Sequence, residues 1–138
     1  MTTLRALGSS MFPFVPSGAR LELEALCGNE AAAATQAQVG EIVAYVGRAG
    51  VIAHRVVGVD RSGVSPLYEL RGDAQDFSEI VSRGALAYRV TRVAYAGVSY
   101  ATSGWLGRAL AYLALRGWSF RCLRVAAPAV RRFRQTLS

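Results

Sequence analysis

Between Arg20 and Tyr95 the chain repeats short, valine-rich apolar runs broken by glycine: Glu41 to Val46, Val51 to Val59, Leu67 to Leu70 and Ala85 to Tyr95. Runs this short, rich in β-branched and aromatic residues and bounded by turn formers, predict strands rather than helices. Asp60-Arg61-Ser62-Gly63 supplies a turn between two of them, because Asp and Ser side chains bond their own backbone and Gly tolerates the bend. The alanine-rich stretch Asn29 to Gln38 predicts a helical turn or a surface insertion. The expected fold is therefore mainly β, a core of coiled strands.

The pattern changes near Ser103. Beyond it, Trp105, Leu106, Leu110, Leu113, Leu115, Trp118 and Phe120 alternate with Arg108, Arg116, Arg121 and Arg124, which predicts a helix or a broken helix. Gly117 and Pro128 interrupt any long one. The division expected is a β domain over residues 1–102 and a helical tail over 103–138. Just over half of the 138 residues are apolar, enough for one domain with a core of its own.

Charge follows the same division. Seven of the sixteen arginines lie in residues 103–138 with no acid, whereas the first 102 residues balance acids against arginines, so the net charge of +7 belongs to the tail. Tryptophan and leucine beside arginine suit a helix lying on an anionic membrane surface, and equally a helix covering one end of the β core with its arginines solvated. The longest uncharged run, Val93 to Gly107, falls short of the roughly twenty apolar residues a spanning helix needs. Nucleic acid is not the expected partner, because no recognition motif frames the arginines.

Composition also narrows the chemistry. All basic residues are arginines, which stay protonated and cannot act as general bases at neutral pH. A serine-lysine dyad is thereby excluded, and His54 is the one conventional base in the sequence. Cys27 and Cys122 lie far apart without metal-ligand spacing, and are expected as free thiols or small buried side chains. Neither a metal site nor a phosphate-binding glycine pattern precedes a helix, so no cofactor is expected.

Four short signatures occur in order: GSSMFP (Gly8 to Pro13), VGEIVAY (Val39 to Tyr45), AHRVVG (Ala53 to Gly58) and ELRGDAQDFSE (Glu69 to Glu79). This order resembles the S24/S26 peptidase superfamily, from about Gly8 to Tyr95. There a Ser-Met nucleophile motif precedes a Gly-Asp-Ile/Val-Val strand, a strand carrying the base before Arg-Val, and a Lys/Arg-Gly-Asp turn. His54-Arg55-Val56 is similar to the branch with histidine as base, found in archaeal and endoplasmic-reticulum signal peptidases and in short bacterial S26-type peptidases. The resemblance implies a signal-peptidase-like β fold and a serine endopeptidase that cleaves a peptide or leader. Ser10 would be the nucleophile and His54 the base. Asp73 or Glu79 would be the orienting acid, with Asp76 between them as a third candidate. Asp73 is favoured, because a Gly-Asp turn holds its carboxylate more rigidly than the Phe77-Ser78-Glu79 segment. The Ser10 backbone N–H would be the main oxyanion donor, helped by the Ser9 hydroxyl.

Departures from the pattern qualify the expectation. Gly18 is followed by Ala19 and Gly40 by Glu41 where the family has Gly-Asp, and Gly8 stands where bacterial signal peptidases carry an oxyanion-binding serine. A slow or specialised enzyme is one consequence; the other is an inactive peptidase-fold protein that binds a peptide or a membrane. Met1 to Ser9 holds no apolar run long enough for a signal peptide or anchor, so a cytoplasmic or peripherally membrane-bound protein is expected. Arginine without lysine points to a GC-rich bacterial coding sequence.

Overall fold

The computed structural model describes residues 2–26, 37–47 and 50–117. Eight strands form one antiparallel sheet: β1 (Thr2–Arg5), β2 (Arg20–Ala25), β3 (Ile42–Gly47), β4 (Gly50–Asp60), β5 (Leu67–Arg71), β6 (Glu79–Ser82), β7 (Leu86–Tyr95) and β8 (Val98–Ala101), followed by helix α1 (Trp105–Leu115). The order across the sheet is β1-β2-β7-β3-β4-β5-β6, with β8 on β7. The fold is mainly β, as expected from the valine-rich runs. Cys27, Cys122, nearly all of the Asn29 to Gln38 stretch, and the tail from Trp118 with Phe120, Arg121, Arg124 and Pro128 lie outside the described residues.

β3 is the strand through which the core is organised. Ile42, Val43, Ala44 and Tyr45 are all buried, so both faces of this strand are covered and its sequence reads as a continuous apolar run rather than an alternation. Ile42 packs on one side with Met11, Val15, Leu21, Leu23, Val90 and Val93. Val43 and Tyr45 pack on the other with Val56, Tyr68, Leu70 and Leu86. Period-two geometry thus splits one strand between two apolar clusters.

Two long strands change partners along their length, which bends the sheet. β7 pairs β2 from Tyr88 to Ala94, while its opposite edge is shared in succession by β3 at its start and β8 from Arg92 to Tyr95. β4 pairs β3 from Gly50 to Arg55 and β5 from Arg55 to Asp60. Arg55 is therefore the crossover residue, paired with Ile42 on one edge and Arg71 on the other. Among the described strands, the stretch 50–54 has no partner on its second edge.

The connection after β4 makes the expected turn, within a hairpin loop longer than the turn itself. Asp60 does cap a turn, its Oδ1 accepting from the Ser62 backbone N–H at 2.9 Å and the Ser62 hydroxyl at 2.6 Å. Asp60 however pairs with Leu67, so the loop runs over residues 61–66. Helix α1 ends where glycine allows it. Gly117 adopts φ 76°, and its N–H bonds the Ala114 carbonyl at 3.0 Å, a left-handed stop that a side chain would strain. No helix among the described residues is long and apolar enough to cross a membrane.

The turn after β5 is equally specific in its demand. A Cβ on Gly72 would lie 2.6 Å from the Ser10 carbonyl oxygen and 2.7 Å from Gln75 Oε1. The glutamine can swing away; the Ser10 backbone cannot move without displacing its own turn. Gly72→Ala should therefore destabilise the fold by about 1–3 kcal/mol, as over-packing does elsewhere. A urea-unfolding midpoint unchanged from that of the parent would show that the two backbones are not in close contact.

Candidate active site

Strand register brings the turn after β5, which holds Ser10, to the level of His54. Arg71 faces Arg55 across β5 and β4, so the next residue, Gly72, falls at the level of His54. There the chain leaves the sheet in a turn, the Gln75 N–H bonding the Gly72 carbonyl at 2.9 Å and the Gln75 side-chain oxygen accepting from the Gly72 N–H at 3.2 Å. The Ala74 N–H then bonds the Ser10 carbonyl at 2.8 Å. Ser10 is thus docked beside the edge of β4 that β5 has just vacated. Ser10 and His54 line one cleft of about 540 Å³ together with Leu4, Val51, Ala53 and Gln75.

Ser10 itself opens a turn held by bonds from the Phe12 N–H to the Ser9 carbonyl and from the Val15 N–H to the Met11 carbonyl. Met11 and Val15 anchor it in the core. Further on, Tyr100 of β8 donates its hydroxyl to the Phe14 carbonyl at 2.9 Å. Burial pushes the Tyr100 phenol up to about 12, so it remains a donor throughout the working pH range. Gly8 has φ 85°, a left-handed backbone in which a serine would be strained, and this accounts physically for glycine at that position. Ser9 is exposed beside it.

His54 is 7% exposed. Its Nδ1 lies 3.3 Å from the Tyr45 hydroxyl and 3.5 Å from Glu79 Oε1, leaving Nε2 as the second ring nitrogen. Burial holds the imidazole below its ordinary value near 6.5, and the negative charge of Asp73 opposes part of that shift. The result at neutral pH is an uncharged ring, able to accept a proton.

The candidate acids separate into different environments. Asp73, favoured from its Gly-Asp turn, is buried and takes the Arg55 guanidinium in a bidentate bond, Nε to Oδ1 and Nη2 to Oδ2, both at 2.8 Å. Arg55 Nη1 also donates to the Gly40 carbonyl at 2.8 Å, and the Asp73 N–H points at Met11 Sδ at 3.5 Å. The Arg55–Asp73 pair thus ties β4, the turn before β3 and the Ser10 segment together. Glu79, at the start of edge strand β6, is the candidate within ion-pair distance of His54 Nδ1, with its side chain 46% exposed. Asp76 is exposed. Asp73 is thus engaged by a guanidinium while its charge acts on His54, and Glu79 is the carboxylate within ion-pair distance of the ring.

Three contributors were not singled out in the sequence. Tyr45 lies two residues beyond Val43, the register partner of His54, and so shares its face of the sheet. Arg55 was read only as part of a motif, although a full charge beside a run of valines signals a buried partner. Gln75 carried no signal. The Glu41 substitution acquires a role: its Oε2 accepts from the Gln38 N–H at 2.8 Å and from Arg89 Nε at 3.1 Å, closing the turn before β3. Ala19 is fully buried in the core. Among the described residues no cluster of His, Cys, Asp and Glu could hold a metal ion.

The two carboxylates should respond differently to neutralisation. Asp73→Asn leaves a buried guanidinium without its counter-charge and should lower unfolding free energy by roughly 3–5 kcal/mol. Glu79→Gln removes a half-exposed contact and should cost no more than about 1 kcal/mol. Denaturant titrations of both variants check this, and equal losses would contradict the division. Compared with known proteins, the chain matches no family model, no curated protein and no solved structure.

Proposed function

We propose that the protein is a serine endopeptidase of the signal-peptidase-like class, with Ser10 as nucleophile, His54 as general base and Glu79 as the acid that orients it. The observation that carries this reading is the shared cleft: Ser10 and the chain's one histidine line it together, and the histidine is buried enough to stay neutral. The four ordered sequence signatures support the same class and the same β fold.

The chemistry follows from the two ring nitrogens. With the Nδ1 proton directed at Glu79, Nε2 is unprotonated and accepts the Ser10 hydroxyl proton as Oγ attacks the scissile carbonyl. The tetrahedral oxyanion takes the Ser10 backbone N–H, with the Ser9 hydroxyl as helper. Collapse breaks the C–N bond, and the amine leaves with the proton held on Nε2. Water then repeats the sequence on the acyl-enzyme, releasing the acid and restoring Ser10. Tyr45 lies within reach of Nδ1 and steadies the ring.

A substrate fits this cleft as an extended chain. The stretch 50–54 of β4 offers backbone groups along its unpaired edge, and strand addition there would lay a peptide past Ser10. Leu4, Val15, Leu21 and Val51 line the cleft, which favours small apolar side chains beside the scissile bond. Asp73 and Arg55 act on this reaction through the fold, by holding the Ser10 turn against β4.

Digestion of a mixed peptide library by the full chain, read by mass spectrometry, tests the proposal. Ser10→Ala and His54→Ala should reduce cleavage to the same background, because members of one catalytic unit are not additive. A base whose folded value is depressed keeps its neutral form at neutral pH, so activity should persist through 6.5 and fall only at lower pH. Cleavage retained by His54→Ala contradicts the mechanism, and saturable peptide binding without turnover would make the protein a peptide-binding module instead.

A further inference from the structure

Helix α1 has one face joined to the sheet and another directed outward. Ala114 and Gly107 are buried, and Arg71 of β5 donates to the Ala114 carbonyl at 3.2 Å. Gly107 is held so near the Ala101 and Thr102 carbonyls that no Cβ fits there. The orientation of the helix on the sheet is thereby fixed. Its exposed residues are Trp105, Arg108, Ala109, Tyr112, Leu115 and Arg116, which recur at helical spacing, and of these Arg108, Tyr112 and Leu115 also line a groove shared with Glu24, Glu41 and Arg89.

Outward surfaces of helices in soluble domains are ordinarily polar, and this one is not. Trp105 is 82% exposed, Tyr112 56% and Leu115 37%. Arg116 lies over the Tyr112 ring at 4.7 Å, an arginine-aromatic pair with no carboxylate in the helix to compete for it. Residues 103–138 contain no acid at all, and five further arginines follow Gly117 in the sequence. Tryptophan, tyrosine and arginine also build protein interfaces, so the lack of any acid from residue 103 to 138 is what favours a negatively charged partner surface. An anionic bilayer surface suits this combination, since tryptophan and tyrosine rest at headgroup depth while arginines meet lipid phosphate.

We infer that the outward face of α1, formed by Trp105, Arg108, Tyr112, Leu115 and Arg116, is a docking surface for an anionic membrane. None of these residues lines the cleft that holds Ser10 and His54. This goes beyond the peptidase reading and stands without it, because binding needs no turnover.

The test uses the full chain carrying Trp118→Phe, so that Trp105 is the one tryptophan. Vesicles of equimolar phosphatidylcholine and phosphatidylglycerol should bind it and shift Trp105 emission to the blue, whereas phosphatidylcholine alone should not. Raising salt should release it, since the screening length falls from roughly 10 Å at 0.1 M to about 3 Å at 1 M. Arg108→Gln with Arg116→Gln should weaken binding about fivefold per arginine, the factor that ~1 kcal/mol per surface cation corresponds to. Trp105, Arg108 and Arg116 are exposed, and circular dichroism of the variants verifies the fold. Equal behaviour toward the two lipids, or undiminished binding by the double variant with Trp105 emission unchanged, would overturn the proposal. So would arginine-dependent binding of an RNA oligonucleotide by a chain that ignores both vesicles.

Discussion

Arg55 and Asp73 form the ion pair on which the rest of the arrangement depends. Both side chains are buried, and a buried charge is tolerated only when its partner and its remaining hydrogen bonds are in place. Here the guanidinium fork is filled by the two Asp73 oxygens and the Gly40 carbonyl. Three segments distant in sequence are fixed by one cation: the middle of β4, the turn ahead of β3 and the turn after β5. Since the last of these holds the Ser10 carbonyl through Ala74, the pair fixes the position of Ser10 relative to its own neighbour, His54. A bidentate arginine does this better than lysine could, because its planar fork sets direction as well as distance.

The two adjacent residues His54 and Arg55 divide their work by the pleat of the strand. Arg55 faces the cluster that contains Met11 and Ile42; His54 faces the side of Tyr45. One side therefore carries the structural charge and the other the titratable base. The same separation keeps the Asp73 carboxylate engaged with arginine while its field still raises the affinity of His54 for a proton. Burial exceeds that effect, and the ring stays uncharged at neutral pH.

Much of the fold was legible because its strands obey local rules. The runs Glu41 to Val46, Val51 to Val59, Leu67 to Leu70 and Ala85 to Tyr95 correspond to β3, β4, β5 and β7 within a residue or two at each end. β1, β6 and β8, each of four residues, lie at the margins, where pairing comes from neighbouring strands rather than from a pattern of their own. Gly117 ended the helix as its backbone freedom predicts. Within the candidate site, Ser10 and His54 stand out by residue type, but the different surroundings of Asp73 and Glu79 do not. Turn rigidity argued for Asp73, and only register and burial reveal that its carboxylate faces Arg55. Tyr45 was hidden for the same reason: its importance lies in a cross-strand relation that linear order does not display.

Because the chain contains one histidine, its imidazole can be observed without ambiguity. Nitrogen-15 and proton magnetic resonance of His54 across a pH titration tests most directly whether the fold prepares it as a base. The account predicts a neutral ring at neutral pH with its proton on Nδ1, facing Glu79, and an ionisation below 6.5. A proton resident on Nε2, or a ring that titrates above 6.5, would contradict it.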